Sequence, residues 1–164
     1  MKLKKLVVLM MAVITMATGV LANVTPSEAA EPKKTYTNKE VKMLSTIIFC
    51  EAGNQSYAGK LAVGIVVMNR KRSSKFPNSV EGVIKQPYQF SPVRTGKWAR
   101  ELKKYSKGDY KKGAKAQCVK AAIDALEGQR TVKYRGKTIN MKSYYFFSQR
   151  LSRARLRIGG HDFK

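Results

Sequence analysis

Residues 47–70 read IIFCEAGNQSYAGKLAVGIVVMNR, and the rest of the chain is organised around them. Working back from Glu51, Val41, Leu44, Ile48 and Glu51 recur at the three-four-three spacing of one helix face. The first three are apolar and would enter a core; the fourth is a carboxylate. Thr37-Asn38-Lys39-Glu40 fits a capping box that opens the helix, and Gly53 stands just past its end. Glu51 is thereby expected in the last turn, where unpaired carbonyls leave partial negative charge. Partial burial and the helix end both disfavour the ionised carboxylate, so its proton is held more tightly. A carboxyl so placed can act as a general acid. The same spacing fits a Glu turned to the rim and paired with a cation, and at this point both readings stay open.

Downstream, Asn54-Gln55-Ser56 is a polar loop, and residues 61–68 are almost wholly apolar. Ala58, Gly59, Ala62 and Gly64 lie among the larger side chains, which suits a central helix buried all round and closely approached by a neighbour. A buried strand has the same pattern. The helix is favoured because the segment runs without a breaker into Asn69-Arg70-Lys71-Arg72.

Outward to the N-terminus, residues 1–30 are expected to be an export signal: Lys2, Lys4 and Lys5 precede an apolar run over 6–21, with small-residue cleavage sites near 20–22 and 27–29. An uncleaved anchor is the alternative, although the run is short for a membrane span. Residues 31–164 are then one domain's worth of chain, expected to act as an exported monomer. The sequence holds 33 Lys and Arg against 10 Asp and Glu, a formal charge of +23, which predicts a polyanionic neighbour. For an exported protein that neighbour is anionic lipid or a wall polymer such as teichoic acid, rather than nucleic acid. Charge serving solubility alone is the plainer alternative. Cys50 and Cys118 are expected to be free thiols in packed positions, with a bridge between them left open. With His161 the only histidine, neither a Cys–His nucleophile nor a zinc spacing can be assembled, and no metal or cofactor is expected.

Beyond the central helix, Asn78 or Ser79 caps a short helix through Val80, Val83 and Ile84 that must end before Pro87. Residues 86–93, QPYQFSPV, form a held loop whose amides, hydroxyl and aromatics resemble the lining of a carbohydrate site, with core packing the alternative for Phe90. Residues 94–113, Lys-rich with Trp98, Tyr105 and Tyr110, are expected to be a solvated helix or irregular excursion, a mixture that also suits single-stranded nucleic acid. Ala116, Val119, Ile123 and Leu126 mark an amphipathic helix that Gly128 stops, with Asp124 and Glu127 as solvated charges. Residues 132–134 and 138–140 flank Arg135-Gly136-Lys137 as a hairpin, and 143–147, SYYFF, are β-prone. A basic loop with Arg150, Arg153, Arg155 and Arg157 leads to Gly159-Gly160, a turn presenting His161. The fold class is α+β: a helix-dominated domain with a small antiparallel β element late in the chain.

Phe49-Cys50-Glu51-Ala52-Gly53, the run 61–70, Phe76-Pro77-Asn78-Ser79-Val80, Gln89-Phe90-Ser91 and Ile158-Gly159-Gly160-His161 with Phe163 together resemble the spore-cortex-lytic cell-wall hydrolase family (SleB-type). The resemblance runs over about 37–163. It implies a fold related to lysozyme-like lytic transglycosylases and cleavage of the peptidoglycan glycan strand by a single Glu, which on the motif is Glu51. Cys50, Ser148, Asp162 and Lys164 depart from the family pattern.

The carboxylate inventory bears on mechanism. Glycosidases that hydrolyse need two carboxyl groups about 5–10 Å apart. Glu81, Glu101, Asp109, Asp124, Glu127 and Asp162 lie in no motif suggesting a partner for Glu51. A lytic transglycosylase needs none, since the muramic 6-hydroxyl replaces water. Asn69, Gln89 and Ser91 are candidates to bind N-acetyl or hydroxyl groups, Phe90, Tyr145 and Phe147 to wall the cleft, and His161 to orient the acid. A two-carboxylate muramidase using Asp162 or Glu81, or a non-catalytic wall-binding protein, remains the alternative.

Overall fold

The chain folds around α2, Tyr57–Arg72, which is buried on every side from Ala58 to Arg70. The structure is a computed structural model that describes residues 34–164; the expected export segment lies outside them. Preceding α2 is α1, Asn38–Ala52, opened by the expected capping box: Glu40 N donates to Thr37 Oγ1 and Thr37 N donates to Glu40 Oε2. Gly53 closes α1, but in right-handed helical geometry (φ −57°) rather than the left-handed turn usual for a closing glycine. It is small for a steric reason, since a Cβ there would lie 2.6 Å from Phe49 O.

Next come α3 (Val80–Lys85), capped as expected by Ser79 through Gly82 N, α4 (Ser91–Arg94), α5 (Lys97–Ser106) and α6 (Gly113–Leu126). The stretch expected as a pure loop thus contains one short helix, α4, with a proline in its first turn, where a missing N–H costs nothing. The expected solvated excursion is corrected more strongly. Trp98, Glu101 and Tyr110 are buried. Trp98 Nε1 donates to Thr46 Oγ1 (2.9 Å), and Tyr110 Oη donates to Glu101 Oε2 (3.0 Å), fastening α5 to α1 and to the turn after it.

Against α2 pack α1 and α6. Gly64 allows this approach: a Cβ there would meet Ile48 Cδ1 at 3.0 Å and Ala125 Cβ at 3.2 Å. The buried face of α6 is Cys118, Ala121, Ala122, Ala125 and Leu126, one step around from the face read in the sequence. Alanines carry that contact because the helices lie too close for larger residues, which is why a count of bulky apolar positions mislocates it. Asp124 is not simply solvated; it accepts from Tyr57 Oη (2.5 Å) and from Lys120, tying α6 to α2. Cys50 and Cys118 are both free thiols.

The β part of the described residues is two small antiparallel sheets. β1 (Thr131–Tyr134) pairs β2 (Lys137–Asn140) across Arg135-Gly136, both at positive φ, as a two-residue hairpin turn requires. The second sheet has order β3-β5-β4, with β3 Phe147–Ser148, β4 Leu156–Ile158 and β5 His161–Phe163. Only the end of the β-prone run 143–147 therefore becomes strand. Alternation along β5 places His161 and Phe163 on one face and Asp162 on the other.

Candidate functional site

Glu51 occupies the last turn of α1, half-buried, on the stripe continued by the fully buried Leu44, Ile47 and Ile48. Two adjoining hollows, of about 980 and 490 Å³, meet around it and share Cys50, Glu51, Lys97, Gln149 and His161 in their walls. Among the lining residues of both, Glu51 is the one Asp or Glu. Desolvation by burial raises its pKa, and the opposing positive charge of Lys97 does not cancel the effect. Lys97 Nζ donates instead to the Cys50 carbonyl (3.1 Å), satisfying an end-of-helix acceptor beside the acid.

The opposite wall comes from the end of the chain. The β4–β5 turn, Gly159-Gly160, is clasped by Gln55: Gly160 N donates to Gln55 Oε1 (2.8 Å). At Gly159 φ is +56° and a Cβ would lie 2.3 Å from the same oxygen, so both backbone and space demand glycine. This contact brings the α1–α2 loop and the last hairpin together, and His161 with them. The imidazole is buried, lies edge-on to Phe147 (5.4 Å between centroids), and its Nδ1 has no hydrogen-bond partner among the described residues. Burial, followed by the charge of Arg157, lowers its pKa against the opposing pull of Asp162, so the ring is neutral near pH 7.

Of the residues singled out in the sequence, Gln89, Ser91, Phe147 and His161 line the groove with Glu51. Phe90 is buried beneath it, tilted against Phe147 (6.1 Å) and under the Arg70 guanidinium (5.6 Å), which makes it a prop rather than a wall. Asn69 and Tyr145 lie elsewhere. Asn69 is buried and its Nδ2 donates to Met141 O (2.7 Å) and Tyr144 O (3.0 Å), so its amide braces the chain after β2. Tyr145 stacks on Phe76 (6.0 Å) beside that brace. Residues the sequence did not single out complete the groove: Gln55, Lys97, Gln149 and Tyr88. Tyr88 is 96% exposed at the lip of the smaller hollow and holds a left-handed backbone (φ 63°), an arrangement costly for an aromatic residue.

The alternative partner acids are engaged elsewhere. Asp162 accepts from Arg157 Nη1 (2.8 Å) and from Leu151 N (3.2 Å) on the far face of β5. Glu81 sits on α3 between Lys39 and Lys85, whose hydrogen bonds and charge pull its pKa down to about 2. Glu101 is buried, yet hydrogen bonds from Lys104 and Tyr110 and the charge of Lys115 outweigh that burial and hold its carboxyl low. The groove can therefore donate one proton from one desolvated carboxyl and take it back, between a sugar-sized hollow on either side.

Comparison with known proteins bears on the family and the fold. A family model described as Cell Wall Hydrolase matches residues 54–164, beginning just beyond Glu51. The spore cortex-lytic enzyme of Bacillus subtilis is 38% identical over 61 residues, 37% of this chain and 20% of that protein. Its counterpart in Halalkalibacterium halodurans is 34% identical over 61 residues, 37% of this chain and 18% of that one. The chain thus spans about a fifth of the length of these curated relatives. In fold it is similar to the catalytic domain of the germination-specific lytic transglycosylase SleB of Bacillus anthracis, with a TM-score of 0.58 and 23% identity over 81% of this chain and 98% of that one. The Bacillus cereus SleB catalytic domain gives 0.57 and 22% over 85% and 98%.

Proposed function

Because this chain belongs to the cell wall hydrolase family, we propose that it is an exported enzyme that cuts peptidoglycan glycan strands between N-acetylmuramic acid and N-acetylglucosamine by lytic transglycosylation. The observation that carries the reading is the solitude of Glu51: one desolvated carboxyl, with a raised pKa, in a groove whose walls hold no second acid among the described residues.

Glu51 gives its proton to the glycosidic oxygen as the bond to the muramic anomeric carbon breaks. The resulting carboxylate takes the proton of the muramic 6-hydroxyl, whose oxygen closes on that carbon. A 1,6-anhydro end forms, Glu51 is protonated again, and no water is consumed. Gln89, Ser91, Gln55 and Gln149 offer hydrogen bonds to N-acetyl and hydroxyl groups, while Phe147 and the exposed ring of Tyr88 face sugar rings. His161, neutral and with no Nδ1 partner among the described residues, orients the acid or a sugar hydroxyl in this reading.

Mass spectrometry of fragments released from purified peptidoglycan tests this. Anhydro-muramic ends are expected. Reducing N-acetylmuramic ends would indicate water and a second acid, and an unchanged glycan would indicate a binding protein without catalysis.

A further inference from the structure

A third hollow, of about 240 Å³, shares no lining residue with the Glu51 groove. It is lined by Asn69, Arg72, Ser73, Arg130, Lys142 and Tyr145 at the C-terminal end of α2. Glu51 lies by the loop leading into the other end of that 16-residue helix, roughly 20 Å away at about 1.5 Å per residue.

Three cations line this hollow and no carboxylate does. Among the described residues none of the three side chains enters an ion pair, although Lys104, Lys115 and Arg157 elsewhere all find acids. Arg72 and Arg130 line the hollow together, and partial burial followed by the like charge of Arg130 lowers the pKa of Arg72. The frame that holds them is braced from below. Asn69 grips Met141 O and Tyr144 O, and Met141 N donates to Arg130 O (2.7 Å). Ser73 and Tyr145 complete the lining. A concavity lined by two planar guanidinium forks and an ammonium offers more donors than one planar carboxylate can accept, and matches an oxyanion with several acceptor oxygens.

We infer that this hollow binds the phosphate of a phosphodiester polymer and so anchors the chain to an anionic wall while the distant groove works on glycan. The choice of a wall polymer over nucleic acid rests on the function proposed above; free phosphate offers the same oxyanion, and the experiment separates the two sources.

The test measures binding of the full chain to purified poly(glycerol phosphate) and, separately, to inorganic phosphate at one fixed ionic strength. The double variant Arg72→Gln/Arg130→Gln is compared with Lys103→Gln/Lys107→Gln, which removes the same charge from exposed positions in α5 and just past its end. The first is expected to weaken polymer binding by about tenfold or more, and the second by no more than about twofold. Lys142→Gln, at a solvent-exposed position, gives a milder loss of the same kind. Thermal unfolding confirms that all three variants fold. Equal losses in the two double variants would overturn the inference by showing that binding is diffuse charge attraction. Undiminished polymer binding in the first, or binding of inorganic phosphate without binding of the polymer, would overturn it as well. Failure here is separable from failure of the glycan reading. Arg72→Gln/Arg130→Gln should cut polymer-free peptidoglycan at the wild-type rate, and Glu51→Gln should keep its polymer binding.

Discussion

Glu51→Gln is expected to lower glycan cleavage by roughly 10³–10⁴-fold, the upper part of the range for a lost general acid, because one carboxyl serves both proton transfers. Glutamine keeps the shape and the partial burial but has no proton to give at the glycosidic oxygen. The fold should not suffer. Burial raises the pKa of Glu51 in the folded chain, so the folded state holds this proton more tightly than the unfolded one. Stability contributed by the protonated form is therefore lost as pH rises from the unfolded pKa through the folded one, and above the folded pKa the ionised Glu51 is a liability. A neutral amide at this position removes that liability, so the variant should melt at the wild-type temperature or slightly above it. Turbidity loss of purified peptidoglycan and thermal unfolding at pH 7 measure the two halves. Persistent clearing of the suspension would refute the role given to Glu51, and an inactive variant that melts far below wild type would show only damage to α1.

Phe163→Ala is expected to be the most damaging substitution outside the groove. Phe163 is the largest fully buried side chain, and in β5 it stands opposite Phe147 on one side and Leu156 on the other. Its ring lies 6.0 Å from that of Phe147 and 6.4 Å from His161, so it backs two residues that line the groove. Truncation leaves a cavity that a three-stranded sheet of very short strands cannot close, at a cost of about 3–5 kcal/mol. For a domain of this size that lowers the melting temperature by roughly 10 °C or more, and cleavage should fall as well, measured at a temperature where the variant remains folded. Phe163→Leu should recover much of both. A loss below about 1 kcal/mol would mean that the final hairpin is not part of the cooperative unit.

The helical part was legible because its signals are local. The capping box at Thr37, the unbroken apolar run of α2 and the Ser79 cap each act within a turn or two of chain. The position of Glu51 on the core stripe could be read for the same reason. Where the sequence misled, the deciding contact was distant or was made by small residues. The buried face of α6 is formed by alanines selected by the closeness of Gly64. Trp98 and Glu101 are drawn inward by Thr46 and Tyr110, residues whose approach no spacing within α5 announces.

The candidate site divided along the same line. Gln89, Ser91, Phe147 and His161 line one hollow with Glu51, whereas Asn69 and Tyr145, equally polar or aromatic in sequence, are claimed by the brace behind β2. The clasp that brings His161 to the groove is a side-chain oxygen on a backbone amide 105 residues away. Gln55 carried no signal except membership of a polar loop. The two glycines it clasps did carry one, since a left-handed turn with no room for a Cβ has a reason to be glycine.

The protonation of Glu51 itself is the sharpest check on the whole account. An NMR titration of its side-chain carboxyl, assigned by the signal missing from Glu51→Gln, should give a midpoint above the ordinary carboxylate range. The alkaline limb of kcat/KM for glycan cleavage should fall at that same pH, because the acid must hold its proton to act. A midpoint at or below the ordinary range, with cleavage unaffected as pH passes through it, would contradict a mechanism built on a lone desolvated proton donor.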